Sequence, residues 1–445
     1  MTTRVIRAKL TPAYPPPPVT VNVAVKTFAA PTVRAMTTTS IPSVSTAFHW
    51  GFMVTHDGLT ESTGNPAAPN PAWDDHIVAL HSANVRNMFQ TIPNTIFQCA
   101  KDHFGVFAHD PSPGVTNQWT GPGNNGAGLD NAVALINTFK HPTSKLMIQL
   151  YGIPGYQAGL AVGNDYTSAA PDTLAHEDEY AAACARIALR YNGTGGQPNV
   201  EYFAVWNEMK GMDSYTATAR AKYIRMYNKV WNAVKAVRPD NGPAPCKIGG
   251  PYSKFISWET GMNSGVSSNY GLSLSALGGY VDQRVLDLYY EWRNDAIGWD
   301  FVSIDVWAGN DRNTGKQAYG PPNGTPDSDS VAPGITAYQQ MKARIPAYFA
   351  WTRSMFPGTT PIICNEFYPQ ARQSNYTVGR GAGDTWTEAT VENWVVECLN
   401  DIKPYGPGWI CAWGEEAEPP RPFEYETTGA PTTLASKLIA YEASL

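Results

Sequence analysis

The sequence predicts an α/β protein: a (β/α)8 TIM barrel with long loops, preceded by an extended N-terminal arm. Three observations carry this expectation. Eight short apolar runs follow one another from about Phe48 onward. Helix-period segments lie between several of them, the alternation that marks parallel βα units. The other connections, such as residues 110–128 and 308–333, are rich in Gly, Pro and Asn and read as long loops. Eight units in roughly 400 residues suit a barrel. An open doubly wound sheet is the alternative arrangement.

Residues 1–45 stand apart from the rest, so the expected division is an arm over 1–45 and a barrel over 46–445. The arm is rich in Thr, Val, Ala and Pro, with four consecutive prolines at Pro15–Pro18. A tetraproline favours polyproline II and cannot sit inside a sheet. β-prone pieces such as "VTVNVAV" flank it. The arm carries Arg4, Arg7, Lys9, Lys26 and Arg34 and no acid, against a whole-chain charge of −6.

The strand candidates, in order, are "FHWGFMV", "NVRNMFQTI", "KLMIQLYGI", "VEYFAVWNE", "KIGGPY", "DFVSIDVWA", "TPIICNEFY" and "GWICAWGE". Ahead of the fourth, "TLAHEDEYAAACARIALRYNG" reads as a helix with acids in its first turns and a Gly stop. Between the fourth and fifth, Tyr223, Tyr227, Val230, Val234 and Val237 repeat at helical spacing and predict an amphipathic helix. A last helix, "TLASKLIAYEASL", follows the eighth strand.

Hydrophobic residues make up 43% and charged residues 16%, which supports a large core and argues against disorder. The acidic balance gives no footprint for nucleic acid. Six scattered cysteines, with no C-x-x-C pair, read as isolated buried thiols; neither a zinc site nor a dense disulfide framework is expected. No metal or cofactor is expected. No apolar run approaches the roughly 20 residues that span a membrane, and the N-terminus lacks the apolar core of a signal peptide.

Catalytic groups of a barrel project from the C-terminal ends of its strands. The fourth run delivers Trp206-Asn207-Glu208; the seventh delivers Asn365-Glu366. Two carboxylates on different strands of one mouth are what glycosidic cleavage needs, one to protonate the leaving oxygen and one to attack the anomeric carbon. Taken singly, each reads better as an ordinary strand-end Glu on the surface; the repeated apolar-run–Asn–Glu pattern is what favours chemistry. Tyr151, Tyr156, Tyr252 and Trp307, after strand candidates, read as exposed aromatics for sugar stacking or for packing against loops, and Trp206 beside Asn207 is a candidate substrate contact. His49, His56 and His103 are the histidines placed to touch a substrate, and Trp73–His76 reads as a helix start.

"VWNE" and "ICNEF" resemble the acid/base and nucleophile motifs of the clan A retaining glycoside hydrolases. The resemblance spans about residues 48–445. It implies Glu208 as acid/base, Asn207 as ligand of the sugar 2-hydroxyl and Glu366 as nucleophile. Arg86 in "NVRNMF" resembles the strand-two arginine that orients the nucleophile, a structural salt bridge being the alternative. Trp413 in "ICAWGE" resembles the tryptophan that floors the sugar site, core packing being the alternative. "KIGGPY" and "DFVSIDVWAG" look like strands five and six of family 39-like members. Asp305 and Trp307 stand where many relatives place His and Tyr.

Two function classes follow. One is a retaining hydrolase acting on a cell-surface polysaccharide or glycoconjugate. The other is a non-catalytic carbohydrate-binding or structural protein built on a barrel; fold alone does not separate them. "GPGNNG" at 121–126 follows polar residues and reads as a loop, not a nucleotide site. The sequons at Asn192, Asn323 and Asn375 mean little without an export signal. A basic arm without a core of its own is expected to bind a protein partner or assembly, a disordered or processed leader being the alternative. With no export signal, the expected location is extracellular or virion-associated, a phage tail being the obvious case.

Overall fold

The computed structural model describes residues 49–53, 89–92, 133, 137, 145–153, 155–159, 169–207, 209, 212, 215–253, 255, 283–307, 337–368, 396–412, 437, 440 and 441. All of them belong to the unit Met36–Leu445. The arm over 1–45, the long loops and "GPGNNG" lie outside the described residues.

Eight strands form one closed barrel in chain order: β1 (His49–Met53), β2 (Phe89–Ile92), β3 (Lys145–Leu150), β4 (Tyr202–Val205), β5 (Lys247–Gly250), β6 (Phe301–Trp307), β7 (Ile362–Tyr368) and β8 (Pro407–Ala412). Every neighbouring pair is parallel, and β8 closes onto β1 with Trp409 opposite His49. All eight strand candidates are present. The doubly wound alternative falls, because an open sheet has no such closing pair. The second run is shorter than its sequence suggests: β2 starts at Phe89, three positions after Arg86.

Four long helices are described: α1 (Leu174–Arg190), α2 (Ala217–Val237), α3 (Gln283–Asp295) and α4 (Ala337–Met355). Thr173 and Thr216 cap α1 and α2, their side chains accepting from His176 N and Ala219 N at 3.2 Å. Each cap satisfies one of the amides left free at a helix start. On α2 the apolar stripe is buried at Tyr223, Tyr227, Val230 and Val234, but Val237 is exposed, because the helix ends there. The acids of α1 are not all solvated. Glu177 is 1% exposed and takes a two-pronged pair from Arg225 of α2 at 2.6 and 2.9 Å, which fastens the two helices together.

Strand alternation sorts the core into two parts. Leu146, Ile148, Leu150, Phe203, Val205, Ile248, Val302, Ile304, Val306, Ile362 and Cys364 face the helices. Met147, Ala204, Phe301 and Ile363 fill the barrel interior, with Tyr202 against them. Cys184, Cys246, Cys364 and Cys398 are buried free thiols, as their spacing suggested.

Two arginines hold the N-terminal end of the barrel. Arg238 donates to the carbonyls of Ala188, Tyr191, Val200, Ala244 and Pro245 and to Asn199 Oδ1, at 2.7–3.2 Å. Arg353 does the same for Pro357, Thr360, Tyr405 and Gly406 at 2.8 Å. Loop carbonyls that no ladder satisfies thereby gain donors. The opposite end is left for function.

Candidate active site

The connection that leaves β4 is strained. Among the described residues, the non-glycine positions with positive φ are Trp206 (68°), Met209 (55°) and Tyr215 (59°), and all three lie there. A left-handed tryptophan costs about 1–2 kcal/mol, so packing must hold it. Trp206 is fully buried, with its indole edge-on to Tyr151 at 5.3 Å and Tyr180 at 5.6 Å. Its N–H donates to Leu150 O at 3.1 Å, and the Tyr180 hydroxyl donates to the same carbonyl at 2.6 Å. The kink breaks strand alternation: Val205 and Trp206, consecutive residues, both pack in the helix-side core. It therefore resets the direction in which Asn207 leaves the strand. Asn207 is 7% exposed, and its Oδ1 has no hydrogen-bond partner. Glu208 lies outside the described residues.

The carbonyl of Val205, the last of β4, is held from behind. The Tyr223 hydroxyl of α2 donates to it at 3.0 Å. To reach it, the phenol passes over β5 at Gly250, where a Cβ would lie 2.4 Å from the Tyr223 oxygen. This is a close approach only glycine permits.

The end of β7 is irregular too. Against β6, Ile304 pairs with Cys364 but Asp305 pairs with Glu366; against β8, Cys364 pairs with Ile410 but Phe367 with Ala412. One extra residue is thus accommodated at Asn365–Glu366 relative to both neighbours. A bulge of this kind re-aims the residues that follow it. Asn365 faces the interior, its Oδ1 accepting from Ser303 Oγ at 2.7 Å, whereas Phe367 packs among the helix-side residues. Glu366 lies between them by backbone position.

Opposite the bulge, Asp305 of β6 is 1% exposed and alternates with Val302, Ile304 and Val306, which places it on the interior face with Ser303. Its N–H donates to Ser253 O at 3.0 Å. The same carbonyl accepts from the Tyr289 hydroxyl at 2.8 Å, which also reaches Ser303 O at 2.8 Å. The Ser253 side chain meets the Tyr215 hydroxyl. Burial pushes the Tyr289 phenol well up, so it stays a neutral donor.

Several expected contacts change. Tyr151 and Tyr252 are not exposed aromatics: they are 4% and 2% exposed, covered by packing. Trp206 is likewise enclosed, its indole packed against Tyr151 and Tyr180. His49 is the first residue of β1, four positions before Met53 at the mouth end. At about 3.3 Å per residue that is some 13 Å away along the strand, the wrong end for a substrate contact. Trp307 closes β6 at the mouth end. Arg86, Trp413, His56 and His103 lie outside the described residues. Reading strand ends for carboxylates missed Gln149 and Ser303. Their signal was present in the sequence: each is a polar residue inside an apolar run, in phase with an interior-facing residue, Met147 or Phe301. Among the described residues no group of three or more His, Cys, Asp or Glu is placed to hold a metal. No described helix is long and apolar enough to cross a membrane.

No protein-family model and no curated protein matches the sequence. Solved structures match its fold. A family 5 xyloglucanase from Paenibacillus pabuli aligns with a TM-score of 0.50 and 12% identity, covering 89% of this chain and 98% of that one. An endo-β-1,4-mannanase from Thermotoga petrophila gives 0.49 and 12%, over 90% and 77%. A family 39 enzyme from Xanthomonas axonopodis pv. citri gives 0.47 and 15%; the chain spans 89% of itself but 66% of that structure. At such identities the likeness is one of fold, and it rests on the first of the three: the chain shares the TIM-barrel architecture of that xyloglucanase.

Proposed function

We propose that the chain is a retaining O-glycoside hydrolase of the clan A type, with Glu208 as acid/base and Glu366 as nucleophile. The observation that carries this reading is the pair of broken strand ends. β4 kinks at Trp206 and β7 bulges at Asn365–Glu366, each at its Asn–Glu pair and each toward the mouth of one closed barrel.

In this mechanism the carboxylate of Glu366 attacks the anomeric carbon while the protonated Glu208 gives its proton to the glycosidic oxygen, so the aglycone leaves as an alcohol. Glu208, now a carboxylate, takes a proton from water. The water oxygen attacks the anomeric carbon and the ester to Glu366 breaks. The two carboxyl groups are expected about 5–5.5 Å apart. Like charges so close keep one of them protonated, which suits the acid. Asn207 Oδ1 accepts from the sugar 2-hydroxyl; Trp307 and Trp413 offer ring faces; Arg86 holds the nucleophile ionised. The substrate is a cell-surface polysaccharide or glycoconjugate. The basic arm docks the enzyme into an assembly such as a phage tail.

The test uses an aryl glycoside that the wild type cleaves. Glu366→Ala loses turnover, and azide restores part of it as the glycosyl azide of inverted configuration. Glu208→Ala keeps glycosylation with activated leaving groups, and azide yields the retained product. Wild-type rates in both variants would refute the assignment. A wild type that binds glycans and cleaves none would leave a binding protein.

A further inference from the structure

Above its apolar plug the barrel interior turns polar. On β3 the interior face reads Met147 then Gln149; on β7 it reads Ile363 then Asn365. Gln149 is fully buried, and neither Oε1 nor Nε2 has a hydrogen-bond partner. Asn365 is fully buried too; Ser303 occupies its Oδ1, and its Nδ2 has no partner. In an eight-stranded barrel β3 and β7 stand opposite each other, and alternate strands feed one layer of side chains. Met147 and Ile363 already belong to one interior cluster beneath. Gln149 and Asn365 are therefore the next layer up, about 6.6 Å nearer the mouth. Buried amides without partners are costly and rare, and such groups call for an explanation.

We propose that Gln149 and Asn365 form the floor of the ligand site and hydrogen-bond one uncharged hydroxyl or hydroxymethyl group of the bound sugar. A carboxamide matches a hydroxyl because it offers both a donor and an acceptor. Asp305 stands on the same interior face and pairs in register with Glu366, so the floor disfavours a uronate carboxylate. The substrate class is thus a neutral sugar. This rests on the glycosidase reading.

The test is Gln149→Met in the full chain, an unbranched replacement of similar size. Wild type and variant are compared on the 4-nitrophenyl hexoside the wild type cleaves best, on its 4-deoxy and 6-deoxy analogues, and on the matching uronide. The variant is expected to lose about 10- to 100-fold in kcat/KM. Removing one particular hydroxyl should cost the wild type a similar factor and the variant less than about threefold. Thermal unfolding should rise by about 1–3 °C, because an unpaired buried amide has been removed. Equal deoxy penalties in both proteins overturn the contact, even if activity drops. A lower melting temperature with that unchanged pattern assigns Gln149 to a structural water instead. A uronide cleaved faster than its hexoside overturns the neutral-sugar class. If the wild type cleaves no glycoside, the glycosidase reading has failed separately. Calorimetric binding of the same glycosides then decides the floor: weaker binding of only the hydroxylated sugar by the variant supports it, and equal or no binding overturns it.

Discussion

The contact behind β4 makes a sharp energetic prediction. Replacing Gly250 by Ala places a Cβ 2.4 Å from the Tyr223 oxygen, with Tyr227 Cε2 at 3.5 Å and Tyr223 Cζ at 3.6 Å. Only the first of these is a clash; the other two are ordinary contacts. Relief requires pushing the phenol off Val205 O, where it donates at 3.0 Å. The overlap costs about 1–3 kcal/mol, and the lost hydrogen bond about 1 kcal/mol more. Gly250→Ala alone should therefore lose about 2–4 kcal/mol. Tyr223→Phe alone keeps the ring, removes the donor and should lose about 1–2 kcal/mol. In the Tyr223→Phe background the clashing atom is gone, so Gly250→Ala should add less than about 0.5 kcal/mol, a coupling of about 1.5–4 kcal/mol. Urea unfolding of the four proteins, followed by tryptophan fluorescence, measures the cycle. If Gly250→Ala costs the same in both backgrounds, the glycine serves the backbone and not the Tyr223 crossing, and the argument is wrong. All variants lacking the Val205 bond should also lose turnover several-fold, because that carbonyl directly precedes the Trp206 kink.

Further outcomes follow from burial and charge. Burial pushes the Cys184 thiol up to about 12 and raises Tyr180, Tyr223, Tyr227 and Tyr289 well above their ordinary range. On unfolding these groups regain ordinary values near 9 to 10, so the unfolded chain releases protons that the folded one keeps. Their contribution is complete below about pH 9 and falls as pH rises above it; a melting temperature flat from pH 9 to 11 would contradict this. Glu177→Gln should cost about 1–2 kcal/mol, because it strips a buried carboxylate from Arg225 and Lys229, whose own side chains are 46% and 23% exposed. Urea midpoints of Glu177→Gln, Arg225→Gln and the pair should be non-additive. If the proposed docking and hydrolysis hold, deleting residues 1–45 should leave the barrel folded and hydrolytic but abolish incorporation into a larger particle; a truncated barrel that unfolds would make the arm part of the core.

Much of the architecture was legible because period-2 apolar runs and period-3.6 stripes are local signals. Each of the eight runs became a strand, and the Tyr223–Val234 stripe became the buried face of α2. What was not legible depends on distant neighbours. Tyr151 and Tyr252 look like loop aromatics in sequence, yet both are buried in the fold; Tyr151 packs edge-on against Trp206, the residue that turns back from β4. β2 starts at Phe89, level with Lys145 of β3 but two residues after the start of β1, a limit the run itself does not show. Gln149 is polar inside "KLMIQL", and only the interior cluster that holds Met147 and Ile363 shows that it stands above a dry plug.

The two Asn–Glu pairs show where pattern and geometry part. Counting alternation forward from Cys364, which faces the helices, puts position 366 on the helix side as well. Counting backward from Phe367, which also faces the helices, puts position 366 on the interior phase. Both counts are correct for their own part of the strand, and the extra residue between Cys364 and Phe367 reconciles them. β4 resolves the same conflict differently. It has no extra residue, so the left-handed Trp206 spends its own side chain on the helix-side core and frees the next positions from strict alternation. Both strands thus break phase at the residues next to their Asn–Glu pairs. The bulge is held by a hydrogen bond from Ser303 to Asn365. The kink is held by Tyr151, Tyr180 and the shared Leu150 carbonyl. The strained Trp206 is thus balanced by rigid packing around it, the arrangement expected where geometry is kept for chemistry and not for stability.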